Sequence, residues 1–311
     1  MNKELSATIR PLIGLVLLAA AVSILSPRFL SAGNLLNVLR QTSINAVIAT
    51  GMTFVILTGG IDLSVGSVLA YCGAVMGALL ATSLPLPASV ALVLLLGAAI
   101  GAVTGLVITK GGTQPFIATF VSMTLLRGAT LVFTDGRPIA ADAGPHADAF
   151  AYLGQGHFLG VPLPVYFMAL VLALAFYVLR HTRLGRYVYA IGSNERAARL
   201  SGLRTSLVKT TVYAVSGTLA ALAGIILTAR LSSAQPTAGQ GYELDAIAAV
   251  VIGGTTLSGG KGSILGTIVG ALIIGVLNNG LNIMNVSSYY QMIAKGAVIL
   301  VAILLDRRSE D

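Results

Sequence analysis

Apolar residues run along this chain in ten long stretches, near residues 9–26, 43–59, 64–83, 88–109, 115–133, 163–180, 209–229, 244–257, 264–283 and 288–305. A helix needs about 20 mostly apolar residues to cross the hydrocarbon core of a bilayer. The pattern therefore predicts an all-α integral membrane protein of about ten transmembrane helices, with residues 1–311 forming a single transmembrane domain. The second, third and eighth stretches are short or interrupted by glycine, and each fits a half-helix as well as a full crossing. Lys3 and Arg10 precede the first stretch in the manner of a secretory signal. That stretch, however, continues past Ala19, Ala20 and Ala21 to Leu25, and many spans follow, so a retained first helix is expected.

The polar segments between the stretches set an orientation, because cytoplasmic loops carry the excess of Lys and Arg. The segment from Arg180 to Lys209 holds Arg183, Arg186, Arg196, Arg199 and Arg204 as well, and is predicted to be cytoplasmic. Residues 134–161 carry only Arg137, beside Asp135, Asp142 and Asp148, and are predicted to be periplasmic. Ten crossings then place both termini in the cytoplasm, in line with Lys3 and Arg10 at one end and Arg307 and Arg308 at the other.

Composition narrows the classes further. The apolar types make up 56% of the residues and the charged ones 10%, too little charge to clothe a soluble fold of this size, so lipid must cover much of it. The net charge of +8 needs no nucleic-acid partner once the basic segments are cytoplasmic loops. Cys72 excludes an internal disulfide and, within an apolar run, behaves as a small hydrophobe. The three histidines lack metal-ligand spacing, and no nucleophile or acid–base constellation stands out, so neither a metal nor a catalytic site is expected.

Gly73-x3-Gly77, Gly97-x3-Gly101-x3-Gly105 and Gly266-x3-Gly270 place small residues on one helix face, where backbones approach closely, within a subunit or between subunits. Other glycines interrupt helices. Gly59-Gly60-x2-Leu63-Ser64 is echoed by Gly253-Gly254-x2-Leu257-Ser258, and matched breaks of this kind point to an internal duplication. Both breaks fall on the same side of the membrane in the predicted topology, which fits a simple inverted repeat poorly. Lys261 is followed by Gly262, so the second break is no phosphate-binding loop, and the chain shows no nucleotide-hydrolysing site of its own.

Candidate path residues follow from polar groups where lipid should be. Asp62, in the first break, is the only charged side chain between Gln41 and Thr109. Such a carboxylate marks a transport path or caps a helix at a turn. Asn34, Asn37, Gln41 and Asn45 share one helix face, and Asn278, Asn282 and Asn285, with Asn279 beside them, share another. Carboxamides donate and accept without charge, which suits a neutral hydroxylated solute; the same groups also bond helix to helix. Asn37, Gln41, Asn45, Asp62, Asn278, Asn279 and Asn282 are the candidate path.

Within the cytoplasmic segment 181–208, Ser193-Asn194 supplies helix-capping chemistry, Glu195 follows near the positive end of the dipole, and Gly202 is a natural stop. The stretches ILTGGIDLSVGS from Ile56, HTRLGRYVYAIGSNERAARLSG from His181, LSSAQPTAGQGYELDAIAAVVIGGTTLSGGKGS from Leu231 and VSSYYQMIA from Val286 resemble the permease subunits of bacterial monosaccharide ABC importers, above all those for ribose. The resemblance spans Leu30 to Asp306. It implies a dimer of permeases in the inner membrane, a periplasmic sugar-binding protein, and a cytoplasmic ATPase that uses ATP and Mg while this chain binds no cofactor. It also implies that Asn194, Glu195, Arg196, Ala197, Ala198, Arg199 and Gly202 couple to that ATPase. Ala197-Ala198-x3-Gly202 matches the family's coupling pattern, with Glu195 displaced by one position. The small Ala197 and Ala198 would let the backbone approach a groove. A secondary transporter or facilitator is the competing class, with Asp62, Glu243 and Asp245 as its candidate ion-coupling groups.

Overall fold

The computed structural model describes the backbone of residues 2–142 and 144–307. The expectation for the termini rests on Lys3, Arg10, Arg307 and Arg308, which lie outside the described side chains. Among the described residues the chain forms the helices α1 (Asn2–Leu25), α2 (Ala32–Leu57), α3 (Val65–Leu80), α4 (Leu86–Thr109), α5 (Pro115–Thr134), α6 (Ala147–Gln155) and α7 (Leu163–His181). It continues through α8 (Arg183–Ser193), α9 (Glu195–Leu200), α10 (Thr205–Leu231), α11 (Tyr242–Ile252), α12 (Ile264–Ile283) and α13 (Ser288–Arg307). Strands of two residues each make two small ribbons: β1 (Ile139–Ala140) pairs with β4 (Ser233–Ala234), and β2 (His157–Phe158) with β3 (Val161–Pro162).

Helix α2 is unbroken and about 39 Å long at 1.5 Å per residue. It is the central pillar. From Thr42 to Leu57 all but Asn45 is buried, under α10, α11, α12 and α7. Helices α4, α5, α7, α10 and α12 are long and apolar enough to cross a membrane unaided. Helix α11 differs from its expected span of 244–257. It ends at Ile252, and eleven residues rise only about 16 Å, half the hydrocarbon thickness. Non-helical backbone from 232 to 241 leads into it, with Gly239 and Gly241 at positive φ.

The small-residue faces are used within the subunit. Helix α4 lies on α10, with Gly97 against Gly217 and Ala221, and Gly101 and Gly105 against Tyr213 and Thr210. A Cβ at Gly101 would overlap the Tyr213 carbonyl, so the contact tolerates no side chain there. Gly73 meets Gly224 and Thr228 of α10, while Gly266 and Gly270 meet Gly253 and Ala249. Cys72 is fully buried in the apolar core, as expected.

The two glycine-rich breaks lie together at one end of the bundle. Gly260 N donates to Leu57 O at 3.0 Å, and Gly59 packs on Ser258 and Gly259. Gly192 of α8 sits against Leu57 and Gly260 with no room for a Cβ. The breaks therefore share an end with the basic segment that holds α8 and α9. At the opposite end, Gln155 of α6 donates to Ala229 O and Arg230 O and so caps α10. Helices α6 and α8 were not expected from the sequence, which predicted only loops there.

Candidate functional site

The amide face of α2 meets the amide face of α12, but its members part company. Asn34 and Asn279 bond reciprocally, Nδ2 to Oδ1 at 3.0 Å in both directions, and so clamp helix to helix. Asn37 Oδ1 accepts from Arg40 at 3.2 Å, and Asn282 Oδ1 accepts from Gln291 Nε2 at 2.9 Å. Gln41 is half-buried on the same face of α2. Asn45 and Asn278, by contrast, converge on a carboxylate. Both Nδ2 groups point at Asp245 Oδ2, at 3.3 and 3.5 Å.

Asp245 stands in the first turn of α11, where carboxylates suit the positive end of the dipole. Its side chain is 3% exposed and takes an ion pair from Lys295 of α13 at 2.9 Å. Tyr242 and Glu243 feel its charge from the same turn, and Arg230 at the end of α10 feels that of Arg40. Asn45 lies about 20 Å from the start of α2, close to its middle, so the cluster is deep in the bundle. Charged groups at such depth face protein or an aqueous path and pair with one another.

Arg127 of α5 holds the non-helical segment that leads into α11. Its Nη1 donates to Pro236 O and Ala238 O, both at 2.9 Å. Backbone carbonyls of a non-helical segment inside a membrane protein must find donors within the protein. The guanidinium supplies them, and its charge reaches Glu243.

Asp62 is placed elsewhere. It is 2% exposed, with Oδ1 accepting from Ser64 N at 3.0 Å and from Ser64 Oγ at 2.6 Å, and Oδ2 accepting from Ser216 Oγ of α10 at 2.8 Å. It ties the first break to the start of α3 and to α10, and is apart from the amide cluster.

At the basic end, Asn194 caps α9 through Oδ1, which accepts from Ala197 N at 2.9 Å. Gly202, at φ +83°, closes it, with Leu203 N donating to Ala198 O. Glu195 bonds Arg199 at 3.3 Å and Lys209 of α10 at 3.0 Å. Partial burial raises its carboxyl, but the Lys209 hydrogen bond and charge and the neighbouring Arg199 outweigh that and hold it below the usual carboxylate range. Ala198 corrects the expectation of a groove-facing residue. It is buried among Val188, Ile191, Leu203 and Val208, because a helix this short must spend one side on its own core. The free side presents Ala197, Arg196, Arg199 and Leu200, the last 85% exposed.

The family model described as the permease component of a branched-chain amino acid transport system matches residues 34–303. The chain belongs to that permease family. Among its relatives, the ribose import permease protein RbsC of Haemophilus influenzae is 58% identical over 96% of this chain and 92% of its own length. RbsC of Bacillus subtilis is 53% identical over 96% and 92%. The D-allose transport system permease protein AlsC of Escherichia coli is 39% identical over 94% and 89%. No solved structure matches. The permease is a multi-pass membrane protein, as its family and its apolar helices require.

Sequence reasoning reached the amides of this permease but missed Lys295, Arg127 and Arg230, and gave Asp245 only to the competing class. Lys295 and Arg127 did leave a signal. Each is the single charged residue of its apolar stretch, 288–305 and 115–133, and such a cation calls for a buried acceptor.

Proposed function

We propose that this permease is the membrane-spanning subunit of an ATP-driven importer that carries a monosaccharide, ribose, from periplasm to cytoplasm across the bacterial inner membrane. The observation that carries the reading is the near-full-length likeness to ribose import permeases, which falls away markedly for the D-allose relative. Two copies form the pore, each with ten crossings, one of them made by the non-helical segment 232–241 and α11 together, and with both termini in the cytoplasm. A separate ATPase binds ATP and Mg, and a periplasmic protein delivers the sugar.

The chemistry of each end supports this division of labour. Helix α9 is a rigid, doubly capped projection on the basic end, tied to α10 by Glu195 and Lys209. A push on its outer side would pass directly into a long helix that lines the core. The amides and the Asp245 cluster offer a neutral solute donors and acceptors within the bundle. Calorimetry of the partner binding protein against ribose, D-allose and other monosaccharides tests the sugar. Tight binding of ribose alone supports the reading, and preference for another sugar overturns that part of it.

A further inference from the structure

Asp245 carries its partners unevenly. Oδ2 takes three donors, from Lys295 at 2.9 Å, Asn45 at 3.3 Å and Asn278 at 3.5 Å. Among the described residues Oδ1 is buried and takes none, and the Oδ1 atoms of Asn45 and Asn278 are likewise buried without a donor. A carboxylate shares its charge between both oxygens, so Oδ1 is as strong an acceptor as its crowded twin. Leaving it unmet is costly. Both amide contacts sit at or beyond the usual limit for a hydrogen bond. The one strong partner is Lys295, which is also the more exposed, at 26%.

We infer that Asp245 is a sugar-hydroxyl acceptor inside the permease, and that Lys295 occupies it between passages. The inference rests on the import function proposed above and gives it a site. Three acceptor oxygens from α2, α11 and α12 converge here, and what they lack is donors. A monosaccharide brings neighbouring hydroxyls, two of which can give their hydrogens to the two oxygens of one carboxylate. The displaced ammonium remains close enough to donate to a sugar oxygen in return. Asp245 and Lys295 cancel in charge, so the site holds no net attraction that would trap an ion. A metal cation is disfavoured by the ammonium already in contact with Oδ2.

The experiment measures equilibrium binding of labelled ribose to the purified full chain in lipid nanodiscs. The variants are the double Asp245→Asn, Lys295→Met and the single Asn278→Leu. The double substitution removes both charges together, so neither is stranded in the bundle. Wild type should bind ribose, and both variants should bind at least about tenfold more weakly, the worth of one good polar contact. Wild-type affinity in either folded variant overturns the inference, as does absence of ribose binding by the wild type, which would leave water as the donor. Ribose accumulation by the complete wild-type assembly is measured beside it. If that assembly transports ribose while variants bind as wild type, the site alone falls. If it transports none, the import function itself falls.

Discussion

Lys295 Nζ lies 2.9 Å from Asp245 Oδ2, joining α13 to α11 across a separation of 50 residues in sequence. The bond does more than neutralise two charges. Helix α11 is too short to cross the membrane, and α13 holds its first turn in place through this contact.

Removing one partner should therefore cost more than removing both. Lys295→Met leaves Asp245 charged and buried, a change worth about 1–3 kcal/mol after allowance for the part-exposed lysine. Adding Asp245→Asn should restore most of the loss. Thermal unfolding of the two proteins in detergent checks the order, and equal loss in both would show that the pair is not coupled.

The Arg127 clamp predicts a second cost. Arg127→Met strips donors from Pro236 O and Ala238 O, and leaving buried carbonyls unmet costs on the order of 1–3 kcal/mol. Hydrogen exchange of residues 237–241 should rise while that of α4 and α10 stays as in the wild type.

On α9, the exposed and buried sides predict opposite outcomes. Leu200→Asp should leave the permease folded and reduce the ATPase that co-purifies with it by about tenfold. Ala198→Trp should instead overfill the permease's own core and destabilise it by about 1–3 kcal/mol. Co-purification and unfolding measured together separate the two. Normal ATPase recovery with Leu200→Asp would take this side of α9 out of the interface.

Glu195 sets a pH window. Its carboxyl sits below its ordinary value of 4.5, so its tie to Lys209 is fully present above that value and is lost as pH falls through the depressed one. Exchange protection of α9 should be flat from neutral pH down to about the ordinary carboxylate pKa and fall beneath it. Glu195→Gln should abolish that step.

How much of this was written in the sequence depends on how local each feature is. The cap at Asn194 and the stop at Gly202 are set within a few residues, so α9 was legible almost to the residue. The amide faces were legible because helical spacing alone puts Asn37, Gln41 and Asn45 together. Which amides clamp helices and which meet Asp245 depends on α2 packing against α12, and that lies beyond any local pattern. Asp62 shows the same divide. Its bond to Ser64 is a local turn, whereas its bond to Ser216 spans 154 residues. The inward turn of Ala198 was hidden because the core it joins comes from α8 and α10.

Uptake into proteoliposomes decides whether this permease moves ribose only as part of an ATP-driven assembly. The chain would be reconstituted alone and with its ATPase and binding protein, with ATP enclosed on the ATPase side, and labelled ribose followed over time. The complete assembly with ATP should accumulate ribose against the gradient, and the chain alone should not. Accumulation by the chain alone, driven by a proton or sodium gradient, would contradict that dependence.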